Sequence, residues 1–414
     1  MSGLTSFTFS VAHLGIGTYL VRARNVTSAD FDLAFSFLTL VGAGLLALAY
    51  PLGLFVEAYT KIDGLAKPTT IMLAFMPLQL WSVVWSSYLE RSLKFEEVAV
   101  AEVGGSLVNL FFAVLLAWSG WGFWAPLWGF VISRFVMCAI YSVFSQFMPK
   151  LTWDTAGLKR MLSYSLAYSL SMWVWQARLL VNPLIVAPLA GSQAAAYVAL
   201  TVRVVEALSF AKSAAWRLSI AMLAKVQEHP ERIGHAVEEG MKLQTLAMAP
   251  FLLAFAVFGA WPVTVLLGPE WLRILSLFPF VALAYLVNGV FSLHSSALYV
   301  IGNNWGVAKF HLAHITLLFL TAALASPRFG SLGYGIAECI AIFAYWVVHR
   351  EFASIFGAPR YGQALFWLGG FAAGLFYYHL GWISLAPLTL LVPAIWRETR
   401  GLFAILMPKE EGDG

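Results

Sequence analysis

Four cationic side chains stand where this chain has least reason to hold charge. Arg134 lies in a long apolar run. Arg178 lies in SMWVWQARLLVNPLIVAPLAG, and Arg203 and Lys212 in AAAYVALTVRVVEALSFAKSAAW. An Arg at the centre of a bilayer costs roughly 2.5–3.5 kcal/mol even on insertion scales, so it faces a partner, a bundle interior or water. A guanidinium also binds a phosphate or diphosphate through two parallel N–H bonds, which an ammonium cannot do. Arg134, Arg178 and Arg203 therefore read as candidate ligands for an anionic head group. At 1.5 Å per residue they lie roughly 16, 15 and 12 Å from the outer edges of their spans, close to one depth. Arg134 and Arg178 have no acid three or four residues away. The opposing reading is a structural charge paired inside one helical lobe.

The acids are fewer. Glu206 follows Arg203 by one helical turn, a spacing at which the two pair on one face. That pair is either self-neutralising or one that exchanges partners during transport. The chain has no Gly-x-x-x-x-Gly-Lys-(Ser/Thr) loop for ATP. An ion gradient is the remaining energy supply, of protons or sodium, and such a carrier needs an acid inside the membrane. Glu206 is the first candidate for ion coupling and Glu338 the second, whereas Glu102 falls near a membrane surface and reads as solvated. Lys212 lies toward a span end, from which its ammonium can snorkel. Trp173 and Trp175, beside Arg178, are placed to stack on a sugar. Most other Trp residues crowd span ends as an interfacial belt. His294, His311 and His314 have neither Cys nor Asp beside them, so no metal and no cofactor is expected. Cys138 and Cys339 lie in different apolar runs, which argues against a disulfide. None of the five Asp residues sits in mid-span, which leaves Asp-rich metal chemistry on a prenyl phosphate little to work with.

The elements that hold these residues follow from composition. Of 414 residues 60% are hydrophobic and 11% charged, too apolar for a soluble domain. In hydrocarbon the backbone must satisfy its own hydrogen bonds, and no barrel-type alternation is visible, so the fold is all-α and polytopic. Spans are expected at about 4–21, 33–56, 69–89, 98–118, 123–146, 160–187, 194–220, 241–267, 272–300, 306–325, 331–350, 363–379 and 381–396, about thirteen of the length a bilayer needs. The first lacks the basic start and small-residue cleavage site of a signal peptide. One set of alternate loops holds 17 of the 25 Lys and Arg residues, and the opposite set 4. The positive-inside rule then places the C-terminus in the cytoplasm and Met1 outside. The net charge of +4 is carried mainly at span ends and suggests no nucleic acid. All loops are short, the longest being a cytoplasmic connector at about 224–240. Gly122 and Ala125 in WGFWAPLWG echo Gly330 and Gly333 in FGSLGYGIA, and Ser86-Ser87 echo Ser295-Ser296. A repeat of about 208 residues predicts two pseudo-symmetric bundles. The expected division is 1–150, an N-terminal lobe; 151–355, a C-terminal lobe; and 356–414, two additional helices with a short tail.

Three stretches carry a resemblance. HLGIGTYLVRARNVTSADFDLAFSF, residues 13–37, is similar to the second-to-third helix junction of Wzx-type polysaccharide flippases, members of the multidrug/oligosaccharidyl-lipid/polysaccharide exporter superfamily. YLERSLKFEEVAVAEV, residues 88–103, resembles that family's Arg-x-x-x-(Lys/Arg)-Phe cytoplasmic turn. LLGPEWLRILSLFPFVAL, residues 266–283, resembles its Gly-x-x-Trp turn. The resemblance implies one further helix ahead of His13 that this sequence does not contain, which leaves five spans where six are expected in the first lobe.

What the resemblance implies is a transporter of the cytoplasmic (inner) membrane that flips an undecaprenyl-diphosphate-linked oligosaccharide by alternating access. Its partners would be that lipid-linked oligosaccharide, membrane lipids, a coupling ion and other polysaccharide-assembly proteins, with no nucleic acid. The alternatives are a drug or lipid II exporter of the same superfamily and an integral membrane enzyme of polysaccharide assembly. A polymerase, ligase or acyltransferase needs a sizeable outside loop or a catalytic His/Asp motif. Neither is visible, so no enzyme is expected.

Overall fold

The computed structural model describes residues 2–23, 25–210, 212 and 230–393. Every regular element among them is helical. The chain divides into two compact units, Met1–Pro188 and Leu189–Gly414. Eight of the described helices are long and apolar enough to cross a membrane, or nine if the bent pair near the N-terminus is one span.

The first unit contains α1 (Ser2–Ala12), α2 (Ile16–Arg22), α3 (Ser28–Thr60), α4 (Ala66–Ala74), α5 (Met76–Arg91), α6 (Phe95–Trp118), α7 (Trp124–Ser145) and α8 (Thr155–Gln176). Its polar residues set helix ends. Thr27 starts α3 by donating its N–H and its hydroxyl to Asp30 Oδ2 at 2.8 and 2.9 Å, a cap that satisfies orphan groups of the first turn. Asp30 Oδ1 also lies 3.4 Å from Arg160 of α8. Arg91, the first residue of the Arg-x-x-x-(Lys/Arg)-Phe-like turn, donates to the carbonyls of Leu20, Val21 and Ala23 at 3.0, 3.2 and 2.9 Å. It closes the C-terminal end of α2, where four carbonyls lack helical donors. Asp154 caps α8 by accepting from Ala156 and Gly157.

The sequence reading placed the lobe boundary at 150/151, with α8 in the second lobe. The compact units divide 38 residues later, after Pro188, because α8 packs on α1, α2 and α3. Gly15 permits this approach, since a Cβ there would lie 2.0 Å from Ser169 Oγ. Arg178 therefore belongs to the first unit, not the second. Beyond α8 the chain passes through a 3₁₀ turn (Ala177–Leu180), a π-turn (Asn182–Val186) and the single turn α9 (Ala187–Ala190). Pro183 explains the distortion, because it has no N–H to offer the carbonyl four residues back. That carbonyl, of Leu179, abuts α1 at Gly3, 2.5 Å from where a Cβ would stand.

The second unit contains α10 (Ser192–Leu208), α11 (Pro230–Phe258), α12 (Ala260–Leu267), α13 (Ile274–Val300), α14 (Asn304–Phe329), α15 (Ser331–Ala341), α16 (Tyr345–Phe356), α17 (Gly362–Leu375) and α18 (Tyr377–Leu380), then a 3₁₀ stretch, Gly381–Leu390. The expected connector at 224–240 is helical from Pro230, where α11 begins, and its earlier residues lie outside the described ones. A shift of about 208 residues carries α4–α5 onto α13, α6 onto α14, and α7 onto α15–α16. Both hairpins so related close on glycine. A Cβ on Gly129 of α7 would lie 2.8 Å from the Asn109 carbonyl of α6, and one on Gly333 of α15 would lie 2.6 Å from the Ser326 backbone of α14.

Candidate functional site

The polar residues of the second unit converge on α13. Arg203 and Glu206 of α10 pair at 3.4 Å, with side chains 65% and 37% exposed. Glu206 accepts a second bond, from the Tyr285 hydroxyl of α13 at 3.2 Å. The Lys212 ammonium lies 5.2 Å from the centre of the Tyr285 ring and donates to Asn288 Oδ1. Asn288 in turn donates to the Tyr345 hydroxyl of α16. Tyr345 packs against Phe291, Phe310 and His314. The reading of Lys212 as a snorkelling residue is thus corrected. Its stem runs inward because Asn288 and the face of Tyr285 supply an acceptor and a π-surface there. The network joins α10, α13 and α16 through one acid, two cations, one amide and two phenols.

Tyr285, Asn288 and Tyr345 were not among the residues singled out in the sequence. The signal was present in LVNGVFSLHSS, where an amide interrupts an apolar run. An amide in such a run needs internal partners for its two donors and its acceptor.

The other candidates are dispersed. Arg134, midway along α7, lays its guanidinium 4.5 Å from the Phe130 ring centre and donates to Met137 Sδ at 3.4 Å. Its Nε is buried without a hydrogen-bond partner. Arg178 stands 5.0 Å from the Trp175 ring centre, so that ring already faces a cation. Trp173 donates its indole N–H to the Ser10 carbonyl of α1 at 2.8 Å. Arg134 and Arg178 thus have different surroundings within the first unit. Glu338 of α15 is 2% exposed and accepts from the Tyr334 hydroxyl at 2.6 Å. Glu102 is exposed.

The histidines divide as well. His294 Nε2 and His349 Nδ1 meet the Tyr361 hydroxyl at 2.8 and 2.7 Å, whereas His311 and His314 flank Phe310. Tyr361 lies in the turn before α17. Burial pushes its phenol up, so it remains protonated near neutral pH and donates to one of the two imidazoles. Among the described residues no three His, Cys, Asp or Glu side chains are grouped to hold a metal ion. Cys138 and Cys339 are free thiols.

The comparisons with known proteins agree with one another on class. A family model described as "Polysaccharide biosynthesis protein" matches residues 1–276. The succinoglycan biosynthesis transport protein ExoT of Rhizobium meliloti (strain 1021) is 27% identical over 324 residues, covering 74% of this chain and 64% of that protein. The match thus spans slightly under two thirds of that relative's length. Among solved structures, lipid II flippase MurJ in an inward closed conformation superimposes with a TM-score of 0.71 at 14% identity, over 97% of this chain and 89% of that one. An inward-facing MATE family multidrug resistance transporter of the MOP superfamily gives 0.65 at 16% identity, over 85% and 88%. The fold is that of these polytopic transporters, as the resemblance implied.

Proposed function

Because the chain belongs to the polysaccharide biosynthesis protein family, we propose that it is a transporter that flips a lipid-linked oligosaccharide across the cytoplasmic membrane. The cargo is an undecaprenyl-diphosphate glycan, moved by alternating access and without covalent chemistry. The observation that carries this reading is Arg134: a guanidinium at the middle of α7, partnered by an aromatic ring and a thioether rather than an acid. A charge held there at such a cost suits an anion that visits and leaves. A diphosphate offers the acceptors that Nε lacks within the protein. Arg178 and Arg203 are proposed as further diphosphate ligands, and Trp175 and Trp173 as sugar contacts beside Arg178.

Ion coupling is assigned to Glu206, with Glu338 as the alternative. Glu206 is held by Arg203 and Tyr285. When a phosphate claims Arg203, the carboxylate keeps the phenol but loses its countercharge. Loss of a nearby opposite charge favours the protonated acid. Release of the cargo returns Arg203 to Glu206 and expels the proton. Glu338 accepts from Tyr334 and is buried, which makes it the less accessible of the two. The C-terminus is proposed to be cytoplasmic. A single Cys at Ala358 should then be shielded from an impermeant thiol reagent in whole cells, and one at Gly64 labelled.

The test is export of glycan in a strain lacking its own flippase. Arg134→Ala and Arg178→Ala should insert normally yet lose export, and Lys at either position should restore only part of it. Full complementation by both Ala variants would overturn the diphosphate site. In proteoliposomes, Glu206→Gln should abolish transport driven by a pH gradient while cargo binding persists. Unchanged dependence on the gradient would move the coupling to Glu338.

A further inference from the structure

The first unit contains a second polar place, unrelated to the three arginines. The opening span is broken: α1 and α2 meet at 53°. Leu14 takes a φ of 49° and Gly15 one of 68°, left-handed values that a leucine adopts only under constraint. The break strips carbonyls of their helical donors. Leu14 N–H turns back to Val11, Ile16 N–H reaches His13, and Thr18 and Tyr19 both donate to Gly15. Among the described residues no backbone N–H reaches the carbonyl of Ala12 or of Leu14.

Helix α8 lies on this break and runs antiparallel to it. Residues 165, 169 and 173 follow one another at four-residue spacing, so they share a face. Trp173 satisfies the Ser10 carbonyl. One turn earlier, Ser169 Oγ lies against Gly15, and a further turn earlier comes Ser165. The two serines are 3% and 0% exposed, and neither hydroxyl has a hydrogen-bond partner. A serine in an apolar helix ordinarily donates to a carbonyl three or four residues back. Ser163 on the same helix does so, to Arg160 at 2.9 Å, as do Ser36, Ser82 and Ser106 in other spans. The two serines of the face that meets the break do not.

We propose that the break between α1 and α2 is a binding site for a monovalent cation, with the carbonyls of Ala12 and Leu14 and the hydroxyls of Ser165 and Ser169 as its oxygen ligands. The carbonyl end of α1 supplies the negative end of a helix dipole, and unwound backbone at membrane depth holds alkali ions in this way. The donor set selects the charge of the ion. Hard oxygen ligands suit an alkali or alkaline-earth ion, but divalent ions draw on carboxylates, and no acid is among these four residues. His13 does not compete as a ligand on this side, because its Nδ1 already accepts the Gly15 N–H at 2.9 Å. Sodium is the probe of choice.

The site does not depend on the cargo assigned above, and it is tested by binding. Melting of the purified full chain in detergent should rise saturably with NaCl when ionic strength is held constant with choline chloride, since a ligand of the native state stabilises it. The Ser165→Ala/Ser169→Ala double variant should require at least tenfold more sodium for half the effect. Ser163→Ala, on the exposed face of the same helix, should respond as the wild type does. Equal melting in sodium and choline would overturn the proposal and leave the hydroxyls to buried water. So would a double variant with unchanged response, or loss of the response in Glu206→Gln, which would place the cation at the acid. If the double variant does not fold, the wild-type chain decides by radioactive sodium: no saturable binding means no site.

Discussion

The span Ala66–Arg91 and the span ending in α13 are related by the shift of about 208 residues, yet 39% of an eighteen-residue apolar stretch is buried in the first and 72% in the second. The first unit covers α5 mainly with α2, α3 and α7, and less with α1 and α6. The second covers α13 with α10, α11, α15 and α16, and adds α17 on a further side. The extra cover changes what polar residues must do. On α5, Ser82 and Ser86 bond back to their own helix, whereas Trp81 donates to the Thr39 hydroxyl of α3, Trp85 to the Phe147 carbonyl and Arg91 to the end of α2. On α13, Tyr285, Asn288, Ser292 and His294 each bond to another helix or to the turn before α17. The more of a helix its neighbours enclose, the less membrane surface or water its polar groups meet, so they pair inward or carry a desolvation penalty. The difference teaches that repeat partners are wired differently: α5 reaches its neighbours through separate donors, and α13 through a connected set of acid, amide and phenols.

That contrast can be broken at its strongest point. Asn288→Leu removes the acceptor of Lys212 and the donor to Tyr345. A charged group left without its partner costs about 3 kcal/mol, so melting should fall sharply and transport should drop at least tenfold. Adding Lys212→Met to the same chain should recover melting but not transport, because two apolar side chains replace a charge and its acceptor. If the single variant melts like the wild type, the network is not what holds α10 to α13.

The hairpins give the next largest effect. Gly333→Ala and Gly129→Ala both place a Cβ within 3 Å of backbone atoms, and each should cost about 1–3 kcal/mol by overpacking. Gly104→Ala meets only the tip of Ile140, at 3.6 Å, and should be silent in the same melts. A harmful Gly104→Ala beside a silent Gly333→Ala would reverse the account of how the repeated hairpins close.

Caps should matter less than the network. Asp30→Ala loses the cap of α3 and the contact with Arg160, for which about 1–2 kcal/mol is expected. Hydrogen exchange should quicken around residues 16–31 and leave α13 unchanged. Smallest of all, Glu102→Gln alters an exposed acid, and its melting should stay within about 0.5 kcal/mol of the wild type. A larger change would show that this exposed acid holds a structural contact.

Membrane class was legible in the sequence because hydrocarbon imposes one rule on every residue of a span. Arg134 and Arg178 were legible for the same reason, since a charge in an apolar run stands out wherever it points. Lys212 was legible as a charge but not as a partner of Asn288, because two residues 76 positions apart meet only once the chain beyond α10 is laid on α13. Asn288 and Tyr345 do not break composition strongly, and their bonds to each other cross two helices.

Composition and apolar runs determined that this chain is all-helical and polytopic, because each follows from local solvation that neighbours in sequence already express. Tertiary structure alone decided that α8 joins the first unit, that the first span breaks at Leu14 and Gly15, and that Ser165 and Ser169 stand against that break without partners. The reason is geometric. Which carbonyl is satisfied, and by whom, depends on how closely two helices approach, and that distance is set by a missing Cβ on one helix meeting a hydroxyl on another.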